Sequence, residues 1–362
     1  IFFSMSGEGR GHATRVKAVA DLLRDRHEIV IFAPGDAYDL LAPAYEGSAV
    51  QVRNMPGLRF VYTEDGRLAQ VRTITTAGRY IAGYMALRRQ IQKVIRDEKP
   101  DLIITDFEPS LPRAAKNCGV PFISLNHQHF LIVNDLSSLP PALQWHAKAI
   151  SLVVRSYYHG QARTIVSSFY FPPLKEKYRN SGVVQVGVIL RPSILQATSS
   201  RGGFLLAYLR RFATDNVLET LRSAKLPVKV YGLGERPADG NITFHRIHEA
   251  DFVHDLASCE ALICTAGNQL VGEALFLRKP VFAMPEVNNH EQYINAHFLK
   301  NEGTGDWAEL ESFAPHHLQA FMERLEDFRA RITPEKYNGN PRAIGTIEDF
   351  LAGRAGAPLR KT

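Results

Sequence analysis

The chain has 362 residues, which exceeds the roughly 250–300 residues at which a single hydrophobic core stops growing, so two domains are expected. Hydrophobic residues make up 45% of the chain and charged residues 22%, which excludes a disordered, collagen-like or coiled-coil protein. The 43 Lys and Arg residues exceed the 37 Asp and Glu residues by 6, an excess that favours anionic partners without selecting phosphorylated metabolites, lipid head groups or nucleic acid.

Short β-type runs alternate with amphipathic helical stretches along the chain, which predicts parallel-sheet α/β domains. In the first half we predict strands at residues 1–5, 28–32, 102–105 and 121–125. Residues 75–99 carry apolar side chains at helical spacing, with Arg, Lys and Gln on the other face. This pattern predicts one long helix with a basic face, and Pro100 ends it.

The second half repeats the alternation, with predicted strands at residues 203–207, 228–231, 242–244, 261–264 and 280–283 and a late helix near 316–331. A polar, Gly-containing stretch from about 188 to 202 is typical of a linker. We therefore predict an N-terminal domain at 1–188 and a C-terminal domain at 189–335. Residues 336–362 are expected to form a C-terminal helix and tail that packs back on the N-terminal domain.

A glycine-rich turn, SMSGEGRGHATR, follows the first strand directly. Its alternate glycines allow a ligand to approach the backbone closely, and the helix start beyond them presents free N–H groups to an anion. The turn does not match the dinucleotide pattern GxGxxG, because His12 stands where that pattern requires glycine. Histidine at the carboxyl end of such a strand is suited to general-base catalysis near neutral pH. The alternative reading is a helix N-terminal histidine bonded to the backbone.

Two further polar junctions between a strand and a helix follow in the second half. The first is CTAGNQLVGEAL, in which Thr265 to Asn268 can cradle a diphosphate on the helix start. Glu273 lies further along this helix, where its carboxylate could accept hydrogen bonds from a ribose diol or be a solvated helix glutamate. The second junction, MPEVNNHEQYINA, follows the next strand. Successive junctions of this kind in one sheet predict a single ligand crevice.

The stretches GEGRGH, TAGNQLVGEALFLRKPVFAMP and HEQYINA resemble nucleotide-sugar glycosyltransferases of the GT-B fold. Members include the lipid-intermediate N-acetylglucosaminyltransferase of peptidoglycan synthesis and the UDP-glycosyltransferases. The resemblance covers most of the chain and is strongest at residues 261–299. It implies two Rossmann-like domains facing a central cleft, and hexosyl transfer from a nucleotide-diphosphate sugar, with a UDP-sugar expected, to an acceptor hydroxyl. The acceptor would be a small molecule, a glycan or a lipid-linked compound.

The resemblance also implies roles for particular residues. His12 would deprotonate the acceptor hydroxyl, and Asp106, after the predicted strand 102–105, would orient the imidazole, so that one displacement gives inversion. The alternative for Asp106 is a helix-capping or turn aspartate before Pro109. The implied donor-binding residues are Ile247 at the base, Thr265, Ala266, Gly267 and Asn268 at the diphosphate, Glu273 at the ribose, and Glu291 and Gln292 at the transferred sugar.

Four residues are expected on the acceptor or phosphate side of the cleft: Gly9, Arg10, Gly11 and His127. Arg10 replaces a glycine of the peptidoglycan enzyme, and its guanidinium would contact a phosphate or be solvated. His127 follows the predicted strand 121–125 and competes with His12 for the role of base. His127 and His129 have no third ligand at metal-binding spacing and no DxD pair of carboxylates is present, so a metal site is disfavoured. The resemblance likewise implies a reaction without a metal or a cofactor beyond the nucleotide-sugar co-substrate.

Two other classes of function compete with sugar transfer. Nucleotide-sugar hydrolases and 2-epimerases share the glycine-rich loop followed by histidine, and the pattern GxGHxxR from Gly9 to Arg15 resembles the hydrolase of pseudaminic acid synthesis. The pair Glu291 and Gln292 favours the transferase.

A basic nucleic-acid-binding module is disfavoured, because no helix-turn-helix, RRM or zinc-finger pattern accompanies the charge. The basic helix, with Tyr80, Tyr84 and Met85, could instead contact an anionic membrane.

The cysteine content bears on the cellular compartment. Cys118, Cys259 and Cys264 lack CxxC or Cys/His spacing, so no disulfide framework or zinc site is predicted and a reducing cytoplasm fits. No apolar run reaches the roughly 18–20 residues of a membrane span, and the apolar start is too short for a signal-peptide core. We expect a cytoplasmic protein, peripheral at the inner face of the membrane if the basic helix binds lipid.

Overall fold

The computed structural model describes residues 1–7, 10–57, 70–158, 160–209 and 215–355. Within these residues, strands and helices alternate along most of the chain and the strands form a seven-stranded and a six-stranded sheet. All the strand pairs in both sheets are parallel. The prediction of two Rossmann-like α/β domains is therefore confirmed.

The N-terminal half supplies the seven-stranded sheet and the helices that cover it. Its strands are β1 (Phe2–Met5), β2 (Val30–Ala33), β3 (Gln51–Asn54), β4 (Ile103–Asp106), β5 (Phe122–Asn126), β6 (Arg163–Ser167) and β7 (Val183–Val186). Its helices are α1 (Arg10–Leu23), α2 (Gly35–Ala44), α3 (Gln70–Glu98), α4 (Ser110–Asn117), α5 (Phe130–Val133) and α6 (Pro141–Tyr157). The strand order is β3-β2-β1-β4-β5-β6-β7.

The C-terminal half supplies the six-stranded sheet. Its strands are β8 (Leu205–Tyr208), β9 (Val228–Tyr231), β10 (Ile242–His245), β11 (Ala261–Cys264), β12 (Val281–Ala283) and β13 (Gly305–Trp307). The helices from the linker onward are α7 (Pro192–Gln196), α8 (Asp215–Arg222), α9 (Glu249–Ser258), α10 (Asn268–Phe276), α11 (His290–Asn301), α12 (Pro315–Glu323), α13 (Leu325–Arg331) and α14 (Asn340–Ala355). The strand order is β10-β9-β8-β11-β12-β13.

The central strands are buried on both faces, as parallel strands between two helical layers must be. Every residue of β1, β4, β5 and β11 is buried. In each sheet the chain reverses its direction of winding between two neighbouring central strands, β1 and β4 in the first sheet and β8 and β11 in the second. Ligands of doubly wound sheets bind beyond the carboxyl ends of such strands, so these two points locate the candidate site.

Four strands were missed by the sequence prediction, and three of them lack a clear apolar signal. β3 is an edge strand with polar, largely exposed residues, and β13 has only three residues, so neither shows an apolar run. β7 is the opposite edge strand of the first sheet and is only half-buried. The remaining strand, β6, is buried from Thr164 to Ser167, and its β-branched run was a usable signal.

The long basic helix was predicted at 75–99 and is α3, at Gln70–Glu98. Leu87, Ile91 and Ile95 are buried against the first sheet, while Arg89 and Lys93 face solvent. This arrangement agrees with the amphipathic pattern. Of the aromatic and Met side chains noted in the sequence, Met85 is exposed and Tyr84 half-buried, whereas the side chain of Tyr80 lies outside the described residues.

The segment between the two sheets is not a solvated linker along its whole length. Val188, Ile189 and Leu190 are fully buried, and the short α7 follows them. The side chain of Asn340, at the start of α14, accepts a hydrogen bond from the Leu190 amide at 2.8 Å and donates to the Leu190 carbonyl oxygen at 2.7 Å. The helix α14 packs on the N-terminal sheet, where Ile347 enters the core that contains α1.

Candidate active site

The first part of the site lies where β1 and β4 end side by side, with Met5 in register with Asp106. Helix α1 begins directly after the glycine-rich turn, and His12 and Arg15 lie in its first two turns. A spacing of three residues places both side chains on the same side of the helix. Here that side faces the carboxyl end of β4, so both side chains reach Asp106, the last residue of this strand.

Asp106 accepts hydrogen bonds from both residues of α1. The Nδ1 atom of His12 is 2.9 Å from Asp106 Oδ1, and the His12 side chain is 15% exposed while that of Asp106 is 1% exposed. Arg15 donates from Nε to Oδ2 at 2.8 Å and from Nη2 to Oδ1 at 3.1 Å. The structure thus pairs His12 with Asp106, as the resemblance implied. It adds Arg15, whose three-residue spacing from His12 was visible in the sequence.

The partners of Asp106 determine its ionisation and the tautomer of His12. Burial opposes ionisation, but the charges of Arg15 and His12 and their hydrogen bonds hold the pKa of Asp106 below its ordinary value. An ionised carboxylate only accepts hydrogen bonds, so His12 Nδ1 carries the proton that is shared with Asp106. Within the described part of the chain Nε2 of His12 has no hydrogen-bond partner. The lone pair on Nε2 is therefore available to a substrate proton.

The turn after β4 forms one wall of the site. Phe107 has a φ of +58°, a left-handed conformation that costs a non-glycine residue roughly 1–3 kcal/mol. Its ring stacks on His12 at 6.2 Å between centroids and lies 5.2 Å from Tyr157, at the end of α6. The next residue, Glu108, is buried and accepts hydrogen bonds from the amides of Ser110 and Leu111 at the start of α4. The turn is therefore held by the helix start, and an aromatic wall lies beside His12.

The second part of the site is the turn between β11 and α10. Ala266 has a φ of +59°, and Gly267 is exposed, with open space where a Cβ atom would project. The first amides of α10 have no intrahelical acceptor and carry the positive end of the helix dipole. The side chain of Asn268 reaches the N-terminal half, with Oδ1 3.3 Å from the Phe169 amide and Nδ2 3.2 Å from the Ser167 carbonyl oxygen. This side chain joins the two halves of the cleft.

Glu273 is on α10 and is 1% exposed, so its reading as a solvated helix glutamate is wrong. Its carboxylate accepts hydrogen bonds from Arg191 Nε at 3.1 Å, Arg191 Nη2 at 2.8 Å and Gln269 Nε2 at 3.1 Å. The pair Arg191 and Glu273 ties the segment after the first sheet to α10. A contact of Glu273 with ribose stays a prediction. The carboxylate would have to accept hydrogen bonds from the ribose hydroxyls in addition to those from Arg191 and Gln269.

The start of α11 holds the two residues predicted to contact the transferred sugar. Gln292 is buried, and its side chain spans the preceding loop by accepting from the Glu286 amide at 2.7 Å and donating to Glu286 Oε2 at 3.1 Å. Glu291 is half-buried, and its Oε2 lies 3.5 Å from Nε2 of Gln128 in the N-terminal half. The sugar-binding roles of both residues stay predictions, and Glu291 is the one that faces the opposite domain.

His127 lies in the interface between the halves and is 1% exposed. Its Nδ1 is 3.2 Å from the Ser167 carbonyl oxygen and its Nε2 is 3.2 Å from Asn295 Oδ1. Asn295 also accepts from the Tyr170 hydroxyl and donates to the Ala266 carbonyl oxygen, both at 2.9 Å. With both ring nitrogens enclosed and its pKa lowered by burial, His127 is not open to an acceptor hydroxyl in this conformation. The geometry favours His12 as the base.

The remaining residues that were predicted to contact a ligand are Ile247, Gly9, Arg10 and Gly11. Ile247 is 43% exposed in the loop between β10 and α9, beside a cavity of about 420 Å³. The cavity is lined by Tyr231, Glu235, Phe244, His245, Arg246, His248, Asp251, His254 and Asp255. Gly11 is exposed in the first turn of α1, and Arg10 begins that helix. The side chain of Arg10 and all of Gly9 lie outside the described residues.

No group of three or more His, Cys, Asp or Glu side chains in residues 1–7, 10–57, 70–158, 160–209 and 215–355 converges to hold a metal ion. Among the helices formed by those residues, none combines the length and apolar character needed to cross a bilayer. His129 is buried, and burial lowers its pKa to about 4.

Known proteins resemble this chain along its whole length. An uncharacterized glycosyltransferase of Methanosarcina mazei is 23% identical over 390 aligned residues, which cover 98% of this chain and 99% of the relative. CalG4, the calicheamicin glycosyltransferase, has a TM-score of 0.66 at 18% identity, covering 98% of this chain and 99% of that one. MurG of Acinetobacter baumannii has a TM-score of 0.60 at 15% identity, covering 97% and 99% respectively. These structures share the GT-B fold with this chain. The model of the Glycosyl transferase family 1 matches residues 1–326, and the chain belongs to that family.

Proposed function

We propose that this chain, a glycosyltransferase by its family, takes its sugar from a nucleoside-diphosphate sugar, a UDP-sugar in the first instance. Transfer to an acceptor hydroxyl would invert the anomeric centre. The observation that carries this proposal is the pair of His12 and Asp106, with Nε2 of His12 left for a substrate proton. Asp106 fixes the tautomer and would stabilise the imidazolium that forms.

The reaction requires one displacement. The acceptor hydroxyl gives its proton to Nε2 of His12 while its oxygen attacks the anomeric carbon from the face opposite the nucleoside diphosphate. The bond between the anomeric carbon and the diphosphate oxygen breaks, and the electron pair leaves with the diphosphate. The exposed turn at Gly267 and the first amides of α10 supply hydrogen-bond donors and a positive dipole end for that developing charge. The proposal requires no cofactor or metal beyond the co-substrate.

Transfer and its stereochemistry are tested directly by incubating the protein with UDP- and dTDP-sugars and following the product anomer by NMR. With a donor of α configuration, the first glycoside formed is expected to be β. A product that keeps the configuration of the donor would contradict the single displacement.

The donor turn can be tested by replacing Gly267 with valine. The φ of −68° suits a branched residue and no atom lies within 4 Å of the added Cβ, so the fold should tolerate the change. The added methyl groups would project into the space proposed for the diphosphate. We expect the KM for the nucleotide sugar to rise by at least tenfold, which corresponds to about 1.4 kcal/mol.

The matched control is Gly345→Val on α14, where a Cβ also meets no atom within 4 Å. Its KM should stay at the wild-type value. An unchanged KM in Gly267→Val, measured on protein with an unchanged Tm, would remove the diphosphate from this turn.

A hydrolase of the same fold is the alternative, because the pattern from Gly9 to Arg15 fits such enzymes as well. Water would then take the place of the acceptor hydroxyl at His12. The two functions differ in whether sugar release needs an acceptor. Release of free sugar at the same rate with and without candidate acceptors would favour hydrolysis, whereas release that depends on an acceptor and yields a glycoside would favour transfer.

We further propose that helix α6 brings the protein to an anionic membrane surface. Its solvent face is apolar, with Trp145 73% exposed, Leu152 66% and Val153 46%. Lys148 and Arg155 are exposed beside these side chains, and the sequence of α6 contains no acidic residue. An apolar strip with basic flanks is suited to the boundary of head groups and acyl chains in an anionic bilayer.

The position of α6 connects this surface to the site. Its last residue, Tyr157, contacts Phe107, whose ring stacks on His12. Met85 on the basic helix α3 is also exposed, at 54%. A lipid-linked acceptor at the bilayer would therefore lie on the same side of the N-terminal domain as the proposed base.

Vesicle sedimentation tests the membrane proposal. The double variant Trp145→Ser and Leu152→Ser should lose most of its binding to vesicles that contain phosphatidylglycerol, because burial of each large apolar side chain contributes about 1.5–3 kcal/mol. The control is Val287→Ser, which removes an apolar side chain that is 52% exposed but lies between β12 and α11, away from α6 in the sequence. This variant should bind the vesicles as the wild type does. Equal sedimentation of wild type with neutral and anionic vesicles would count against the proposal.

A further inference from the structure

We propose that Arg15 is a positioning residue for the proposed base: it holds the Asp106 carboxylate in place, and its charge beside the imidazole of His12 disfavours a second proton on that ring. This inference rests on the proposed function of His12. Neither the family match nor the related proteins assign a role to Arg15. Its side chain has no access to a substrate, because it is 4% exposed, so it acts through Asp106 and His12.

Arg15 donates hydrogen bonds to both carboxylate oxygens of Asp106. Its Nε and Nη2 atoms approach the two oxygens of Asp106 separately, at 2.8 and 3.1 Å, which fixes the plane of the carboxylate. The same Nη2 atom lies 3.2 Å from His12 Nδ1. When Nδ1 carries its proton, this approach is not a hydrogen bond, because both atoms are then donors. The guanidinium is then a positive charge directly beside the imidazole.

The sign of the effect follows from the total charge of the buried cluster. With Arg15 positive and Asp106 negative, the cluster is neutral when His12 is uncharged, and a second proton on His12 would leave a net positive charge at a largely desolvated site. Without Arg15, the remaining pair of Asp106 and His12 is neutral only when His12 carries a second proton, so removal of Arg15 would favour the imidazolium. An imidazolium cannot act as a base. Arg15 therefore opposes the effect that an isolated Asp and His pair would have.

Other titratable groups around the cluster do not alter this sign. Glu108 is buried, and burial raises its pKa, which favours its neutral form. Tyr158 is buried, and its pKa is raised well above the ordinary value by burial and by the nearby carboxylates, so it is uncharged. Tyr157 reaches His12 only through the ring of Phe107. His127 has its pKa lowered by burial, with the Arg15 charge acting in the same direction.

The test follows His12 by NMR and by rate. Two-bond ¹H–¹⁵N spectra, with the His12 signals identified by their loss in His12→Gln, report which ring nitrogen carries the proton and the pH at which the ring gains a second one. In Arg15→Met this titration midpoint is expected to rise by about one pH unit, and in Arg15→Lys it should stay close to wild type because the charge is kept. The acidic limb of kcat/KM should move to higher pH in Arg15→Met by the same amount.

The matched control is Arg24→Met, which removes the same charge from an exposed position just beyond α1, where Arg24 lies 3.7 Å from Asp21. It should leave the midpoint unchanged. An unchanged midpoint in Arg15→Met, or an equal shift in Arg24→Met, would overturn the inference. If Arg15→Met does not fold, Arg15→Gln provides a second neutral side chain for the same comparison.

The NMR readout also separates this inference from the proposed function. If His12→Ala transfers sugar at the wild-type rate, then His12 is not the base and Arg15 loses its role in catalysis, whatever its effect on the titration. If His12→Ala is inactive but Arg15→Met leaves the titration and the pH profile unchanged, the proposed function stands and only the role of Arg15 is wrong.

Discussion

Replacing His12 with alanine is expected to reduce kcat/KM for sugar transfer by about 10²–10⁴-fold, the range that a general base contributes. The reason is that Nε2 of His12 is the nitrogen left free once Nδ1 is bonded to Asp106. Binding of the nucleotide sugar should change little, because the proposed diphosphate turn at Gly267 belongs to the other sheet. Steady-state kinetics together with calorimetric titration of UDP would separate the two effects.

Asp106→Asn tests the contribution of the carboxylate to the pair of His12 and Asp106. The amide can present its N–H to Nδ1 and so favour the wrong tautomer of His12, and removal of the charge leaves Arg15 without its carboxylate. A loss of up to about 10⁴-fold in kcat is expected, as for the equivalent change in a Ser-His-Asp triad. His316→Ala, an exposed histidine on α12, serves as the control. Full transfer activity in His12→Ala would assign the base elsewhere.

The second large effect concerns stability. Arg191→Met is expected to lower the free energy of unfolding by about 3–5 kcal/mol, because it leaves the buried carboxylate of Glu273 without its main partner. Among the described residues, only the contact with Gln269 would remain. Urea denaturation monitored by circular dichroism measures the change. Because Arg191 ties the segment after the first sheet to α10, the loss should appear in the transition of the C-terminal half.

A double variant separates the cost of an unpaired charge from the value of the pair. Arg191→Met with Glu273→Met should recover most of the stability, since replacing a whole buried ion pair with apolar side chains is often neutral or stabilising. The control is Arg222→Met, whose partner Asp239 is exposed, and it should change the urea midpoint little. A single Arg191→Met variant as stable as wild type would mean that Glu273 is not held by this pair.

Much of the site could be predicted because its signals are local. The glycine-rich turn before α1, the small residues before α10 and the polar start of α11 each follow a strand, and strand ends are readable from short apolar runs. Parallel strands place their carboxyl ends at the same edge of a sheet, so polar side chains there are brought near one another. The prediction of two α/β domains rested on the same alternation of elements.

The residues that sequence reasoning missed are those whose partners are distant in the chain. Arg15 meets Asp106 across 91 positions, and Arg191 meets Glu273 across 82. The pattern GxGHxxR contains Arg15, but nothing local indicates that its partner is Asp106, and Arg191 has the spacing of an ordinary linker residue. The alternative reading of Glu273 as a solvated glutamate is wrong for the same reason, since burial depends on what packs against α10.

The sequence by itself determined the class of fold, the glycine-rich turn and the candidate base at the end of the first strand, since periodicity and glycine placement act over a few residues. Only the tertiary structure gives a reason to prefer His12 to His127 as the proposed base, because the His12 side chain is 15% exposed whereas the ring of His127 is enclosed by Ser167 and Asn295. The same holds for the charge state of the site. Desolvation and the distances between charges are set by packing across the sheets, and these govern which groups ionise.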